Sequence, residues 1–375
     1  MPSTTYHLLT ESEPFSEFIG GAISRWAGNV LRNNPQSVVV CPSADDTWNF
    51  PPEAVSVLPA LRLYKSWRNK LCRLPWFFHR WVIQAIFRPL LKRMRPGDIM
   101  WIHNRPEFAV ALTAHIHHAG GRVVLHLHNS HLVEGPARLM SQVRVDRLVF
   151  VSEFLLQQAR DKFPQAGASS VLYNGADESI FYPAGDEHKK SAPVTVLFAG
   201  RLVEDKGVHV LLEAMKLLEE EAVPLQAVIV GSSNFGMGEE TDYIRRLKAT
   251  SPATVEFLPY RSGKALGELF RAADMFCCPS VWNDPFPLAP LEAMAAGLPV
   301  VASRTGGIPE ALAFGGGILV ERRSAVELAS ALRRLAESPE LRTRLGQQGY
   351  AAFLERFTWS NTRTQVQQIQ NAFSV

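Results

Sequence analysis

Four cysteines in 375 residues, at 41, 72, 277 and 278 and without a Cys-x-x-Cys spacing, argue against a disulfide framework or a cysteine-built zinc site. They fit a reducing cytosol. No Asp-x-Asp stands at a strand end, since Asp45 and Asp46 are adjacent. The opening Met-Pro-Ser-Thr-Thr-Tyr-His has no basic start and no apolar run, so it does not read as a signal peptide. The apolar stretch 74–91 holds Arg80, Arg88 and His79, which argues against a spanning helix. Acid is the other scarcity. Between Arg62 and Arg95 stand ten basic residues and no acidic one, so a net charge of +3 leaves −7 for everything else. One segment, and not the whole chain, seeks an anionic partner.

The length suits two domains, each with its own core, and 46% hydrophobic with 20% charged residues is ordinary for a soluble globular protein. Apolar runs recur at 6–9, 38–41, 99–103, 123–128, 148–151 and 171–173. A second set follows at 194–199, 227–230, 255–258, 275–278, 300–302 and 318–320. Amphipathic stretches lie between them, which predicts parallel sheets covered on both faces, twice over. The polar stretch 184–190 reads as an exposed linker. Ligands of such sheets bind beyond the carboxyl ends of the strands.

The segment Asp284-Pro-Phe-Pro-Leu-Ala-Pro-Leu-Glu292 carries two carboxylates eight positions apart. It predicts a helix running on to Ala296 and stopping at Gly297, with Asp284 in the loop ahead and Glu292 inside. The helix start offers unpaired amides and a positive dipole end, a place for phosphate. Gly200-Arg201, four residues, then Lys206-Gly207 sets a planar cation and a flexible one beyond a strand end, a pair suited to phosphate oxygens. Gly20-Gly21 precedes a helix expected from Ala22, so its amides approach a ligand closely.

Together these motifs resemble the family 4 retaining glycosyltransferases. Tyr173-Asn174-Gly175-Ala176-Asp177 with Phe181-Tyr182-Pro183 is similar to that family's interdomain segment, and the match runs nearly the whole chain in order. Asp284 departs from the usual Glu, and Pro287 from a common Gly. The resemblance implies an α/β GT-B fold: two doubly wound Rossmann-like domains facing a central cleft. Residues 1–183 would bind acceptor, residues 193–356 the nucleotide sugar, and 357–375 would form a helix crossing back onto the first domain. It implies transfer with retention of configuration, by same-face attack, with Asp284, His128, Arg201 and Lys206 as catalytic residues. Gly20, Gly21, Arg201, Lys206, Phe286, Leu288, Ala289 and Glu292 would hold the donor. Glu292 would take the ribose hydroxyls, and His128 would donate to the transferred sugar.

No metal is expected at the diphosphate, because Arg201 and Lys206 replace it, and no other cofactor. The dense histidines do not suggest one either: His126 and His128 alternate with leucines as one strand, with no acid or cysteine beside them. His103-Asn104-Arg105-Pro106-Glu107 is an acceptor-side or a structural loop. A UDP-sugar donor is favoured, with a glycan or lipid-linked glycan acceptor in bacterial surface polysaccharide (lipopolysaccharide-type) synthesis. The basic stretch 62–95 interleaves cations with Trp67, Trp76, Phe77, Phe78, Trp81 and Phe87, which favours peripheral binding to the anionic inner face of the cytoplasmic membrane. Nucleic acid is not expected, for want of a recognition motif. Two rivals remain: a nucleotide-sugar epimerase or hydrolase on the same scaffold, and a structural, coat-associated protein.

Overall fold

In the computed structural model the described residues form thirteen parallel strands, in sheets of seven and six, one more than the twelve apolar runs. The described residues are 3–17, 21–73, 75–130, 137–164, 166–185, 193–233 and 240–373. The first sheet comprises β1 (Thr5–Leu8), β2 (Ser37–Cys41), β3 (Val55–Val57), β4 (Ile99–His103), β5 (Arg122–Leu127), β6 (Arg147–Phe150) and β7 (Ala168–Val171). The second comprises β8 (Val194–Ala199), β9 (Leu225–Val230), β10 (Val255–Leu258), β11 (Met275–Cys278), β12 (Val300–Ser303) and β13 (Gly317–Val320). Their orders are β3-β2-β1-β4-β5-β6-β7 and β10-β9-β8-β11-β12-β13. Each order reverses once, between β1 and β4 and between β8 and β11. A doubly wound sheet binds its ligands at that reversal.

Central strands are buried on both faces. All five residues of β4 and all four of β11 are enclosed, which is why they read as continuous apolar runs. In the second unit Val196, Phe198, Ile229, Met275 and Val301 pack with Leu211, Met215, Leu332 and Leu335 of the covering helices. Each such side chain contributes about 1.5–3 kcal/mol by leaving water. The edge strand β3 is a departure from the sequence expectation. Its three residues follow two adjacent prolines and carry too few apolar positions to stand out.

The chain forms two compact units, Met1–Tyr173 with Thr362–Val375, and Asn174–Asn361. The division therefore falls at Tyr173, ten residues before the position expected, and Asn174–Pro183 groups with the second unit. The last helix, Trp359–Asn371, begins in the second unit and continues in the first. There Thr362 Oγ1 donates to the Tyr173 carbonyl (3.2 Å) and Arg363 to the Asn29 carbonyl (2.8 Å).

The basic stretch is two helices, Ala60–Leu71 and Trp76–Leu91. In the second of these His79, Ile83, Phe87 and Leu90 form the buried stripe at helical spacing. Trp81, Phe77 and Phe78 are left outward at 67%, 62% and 49% exposure, beside Leu63 (67%) and Trp67 (60%) of the first. Among the described residues no helix is long and apolar enough to cross a membrane.

Candidate active site

In the second unit, β8 delivers Gly200 and the exposed Arg201 at its carboxyl end. The loop then tightens into a 3-10 turn, Glu204–Lys206, closed by Gly207 at φ +70°. Glycine is required there twice over. That dihedral disfavours other residues, and a Cβ would stand 1.9 Å from the Pro279 carbonyl oxygen. The Val281 amide donates to the Asp205 carbonyl at 2.9 Å. The loops after β8 and β11 are thus bound to each other through their main chains.

This fixes Lys206 against Asp284. Their side chains form an ion pair, with the lysine one-fifth and the aspartate under one-tenth exposed. Lys206 Nζ also lies over the Trp282 ring, 5.9 Å from its centroid. Asp284 is held by main chain from behind: its carbonyl accepts from the Gly307 amide at 2.8 Å. A Cβ on Gly306 would stand 1.9 Å from that same oxygen. Thr305 Oγ1 donates to the Trp282 carbonyl at 3.0 Å. Burial pushes the neighbouring Cys278 thiol up to about 11, with Lys206 acting the other way, so the thiol stays protonated.

After Asp284 the chain enters the helix Leu288–Ala295, with Pro287 before it and no side chain capping it. Leu288 and Ala289 supply the first amides, while Pro290 in the first turn has none to give. Phe286 is buried, its ring 5.8 Å from that of Phe357, and its carbonyl accepts from Asn174 Nδ2 at 3.2 Å. Glu292 lies inside the helix and is buried. An uncapped helix start, a buried carboxylate and a lysine paired with a second carboxylate thus share one sheet end. That set can bind a polyanion at the amides and cations and hydroxyls at the carboxylates.

In the first unit, Gly20 lies outside the described residues. Gly21 is where expected, immediately ahead of the helix Ala22–Leu31. Its amide cradle is filled by the chain itself. Glu13 Oε1 accepts from the Ser24 amide at 2.9 Å, and the same carboxylate takes the Ile23 and Gly21 amides. Burial pushes the Glu13 carboxyl up, and these amides act against it. A Cβ on Gly21 would stand 2.7 Å from Glu13 Oε1. A ligand at these amides must displace Glu13.

His128 follows β5. Its amide donates to Asn104 Oδ1 at 2.7 Å, and its Nε2 lies 3.0 Å from His103 Nδ1. Burial pushes His128 down to about 3, so the ring is neutral. Asn104 takes φ +54° at the turn out of β4, which aims Arg105 back at Glu11. Arg105 Nη2 donates to Glu11 Oε1 at 2.8 Å, and Nη1 to the Asn104 carbonyl at 2.8 Å. Arg68 of the Ala60–Leu71 helix reaches the same Glu11 oxygen at 2.8 Å. Burial raises the Glu11 carboxyl, but the hydrogen bonds and charge of Arg105 outweigh it and hold the group below its usual range. The 103–107 loop is thereby a braced element at the β1/β4 reversal. Neither Glu11, Glu13 nor Trp282 was singled out from sequence. Glu11 and Trp282 act through contacts with residues far along the chain, and Glu13 through amides eight to eleven residues on, so no local spacing signals them.

Residues 185–352 match the family model for "Glycosyl transferases group 1". Over these residues the chain is similar to the group 1 glycosyl transferases. Spore coat protein SA of Bacillus subtilis is 29% identical over 291 residues, 72% of this chain and 76% of that protein. A D-inositol 3-phosphate glycosyltransferase of Corynebacterium aurimucosum is 30% identical over 249 residues, 62% of this chain and 59% of that protein. Among solved structures, sucrose-phosphate synthase from Thermosynechococcus elongatus superposes with a TM-score of 0.78 at 18% identity, covering 99% of both chains. Anabaena HepE, solved with UDP and glucose, gives 0.74 at 20% identity over 99% of this chain and 100% of that one. Both share with this chain the two Rossmann-like sheets of the GT-B fold expected from the sequence.

Proposed function

We propose that this protein is a glycosyl transferase that moves a hexosyl group from a nucleoside diphosphate donor, preferably a UDP-sugar, to a hydroxyl of a glycan or lipid-linked glycan, with retention of configuration. The observation that carries the reading is the Lys206–Asp284 pair beside the uncapped Leu288–Ala295 helix at the β8/β11 reversal. Diphosphate would bind the Leu288 and Ala289 amides, Arg201 and Lys206, which together stabilise its charge as the glycosidic bond breaks. Glu292 would take the ribose hydroxyls and Asp284 a hydroxyl of the transferred sugar. Phe286, fixed by Asn174 and Phe357, holds the segment before the helix in place. From the first unit, His128 Nδ1 would donate to the sugar and Gly20-Gly21 would receive it, once Glu13 has withdrawn. The acceptor hydroxyl would attack from the face that phosphate leaves and give its proton to that phosphate. The complexes of HepE with UDP and with UDP-glucose support the choice of uridine.

With three cationic or dipolar partners for the diphosphate, no divalent ion is required there. Transfer should continue in excess magnesium-free chelator, and a loss that magnesium or manganese restores would contradict this. A nucleotide-sugar panel tests the donor assignment. A true donor raises the melting temperature and yields transfer to a glycan acceptor, whereas release of free sugar alone would favour hydrolysis or epimerisation.

The acceptor would lie at a membrane, in the synthesis of bacterial surface polysaccharide. The exposed Leu63, Trp67, Phe77, Phe78 and Trp81 are interleaved in sequence with Arg62, Lys65, Lys70, Arg73 and Arg88 on the two helices, apolar and cationic groups together. Each cation contributes about 1 kcal/mol near an anionic leaflet. Flotation with anionic vesicles should therefore fall on reversal of Arg80, Arg88 and Lys92, and, at high salt, on replacing Trp67, Phe77 and Trp81 by alanine. Equal flotation of all three proteins would remove the inner-membrane assignment. The likeness to a spore coat protein favours a second reading, a coat-associated role, which an inactive but coat-retained Glu292→Gln protein would support.

A further inference from the structure

His103 ends β4 and pairs in register with His126 of β5, and His128 follows two residues later on the same side of its strand. Each of the three offers a ring nitrogen, and these nitrogens lie within 4.8 Å of one another. Both nitrogens of His126 are without a hydrogen-bond partner although the ring is wholly enclosed. Burying two unsatisfied nitrogens is costly, and a phenylalanine would fill the space without that cost. Trp26 and Trp101 wall the cluster, their rings 5.3 and 6.0 Å from that of His126.

We propose that His103, His126 and His128 form a binding site for a transition-metal ion of the zinc or cobalt(II) kind. Neutral imidazoles suit such ions, whereas magnesium and calcium take oxygen ligands, and none of the three residues offers one. Around a tetrahedral ion with bonds of roughly 2.0–2.1 Å, ligand nitrogens stand about 3.4 Å apart. His103 Nδ1 and His128 Nε2 are already 3.0 Å apart, so ring rotation at His126 completes the set. His7 Nδ1 lies 3.4 Å from His103 Nε2, where a metal-bound imidazole takes its outer hydrogen-bond partner. With three protein ligands, the fourth position is left to water or a small anion. It enters beside His128, which is 7% exposed where the other two are 0%. Ligation through Nε2 leaves His128 Nδ1 bearing its hydrogen. The site lies within the first unit and shares only His128 with the function proposed above, and the metal-uptake readout does not require that function.

The test is titration of the untagged, chelator-stripped full chain with cobalt(II), followed by visible absorption, metal content after gel filtration, and zinc competition. One ion per chain with tetrahedral cobalt bands and a raised melting temperature is expected. His126→Phe should lose that uptake, and His7→Phe should weaken it about ten-fold. His117→Gln, an exposed position, should leave it unchanged; it controls for chance binding by His115, His117 and His118. If His126→Phe does not fold, His103→Gln serves with the same readout. No stoichiometric uptake by the folded wild type, or equal uptake by wild type and the ligand variants, overturns the proposal.

Discussion

Each sheet reverses its strand order once, yet the two reversals are furnished in opposite ways. In the first unit β1, β4 and β5 end in rings: His7, His103, His126 and His128 pack with Trp26 and Trp101, all neutral and enclosed. In the second, β8 and β11 end in Arg201, Lys206 and Asp284, charged groups on loops that main-chain contacts brace. The same topology thus gives one end built for packing and one built for counter-charge. Sheet order decides where a site can be, and the residues beyond the strands decide what it is.

Acid should separate the two most sharply. The four histidines are pushed below 6.5 by burial, His7 and His128 to about 3. Between those values the unfolded chain binds more protons than the folded one, so stability falls as pH drops below 6.5. Each such histidine contributes on the order of 1.4 kcal/mol per pH unit. Hydrogen exchange of metal-free protein from pH 7 to 5 should show the first unit opening well before the second. Simultaneous opening would erase the contrast.

Next in size are the charges of the second end. Lys206→Ala should lower turnover by about 10²-fold or more while remaining folded, and Glu292→Gln should raise donor KM as well. Near-normal turnover in folded Lys206→Ala protein would move the diphosphate elsewhere.

A smaller effect tests the bracing. Asn174→Ala removes the hydrogen bond to the Phe286 carbonyl and should cost about 1 kcal/mol, read as a several-fold rise in donor KM. Smallest of all, Arg304→Ala breaks an exposed pair with Glu321 and should leave both stability and turnover within error.

Much of the second end is legible in the chain. Residues 284–297 read as loop, helix and stop, and the structure gives the helix Leu288–Ala295 with Gly297 at φ +70°. Such signals are local, set by prolines, a glycine and an apolar run. The first end is not legible in that way. His126 and His128 alone suggest only a strand, and His103 joins them through register with a strand 23 residues away. Glu13 likewise caps a helix that starts nine residues later, across a glycine pair that by itself announces only a ligand. The boundary at Tyr173 also escapes local reading, because it depends on the Asn174 contact with Phe286, 112 residues on.

The placement of Thr362–Asn371 sets an order of events during synthesis. Val366 and Ile369 are buried in the first unit, and Gln370 donates to Thr5 Oγ1 at 3.3 Å, joining nearly opposite ends of the chain. As the chain leaves the ribosome, residues up to Tyr173 emerge long before the helix that finishes their unit. The second unit, continuous from Asn174 to Asn361, has all its strands first. The unit begun first is therefore completed last: between the emergence of Asn361 and that of Asn371 the second unit is whole while the first still lacks its final helix.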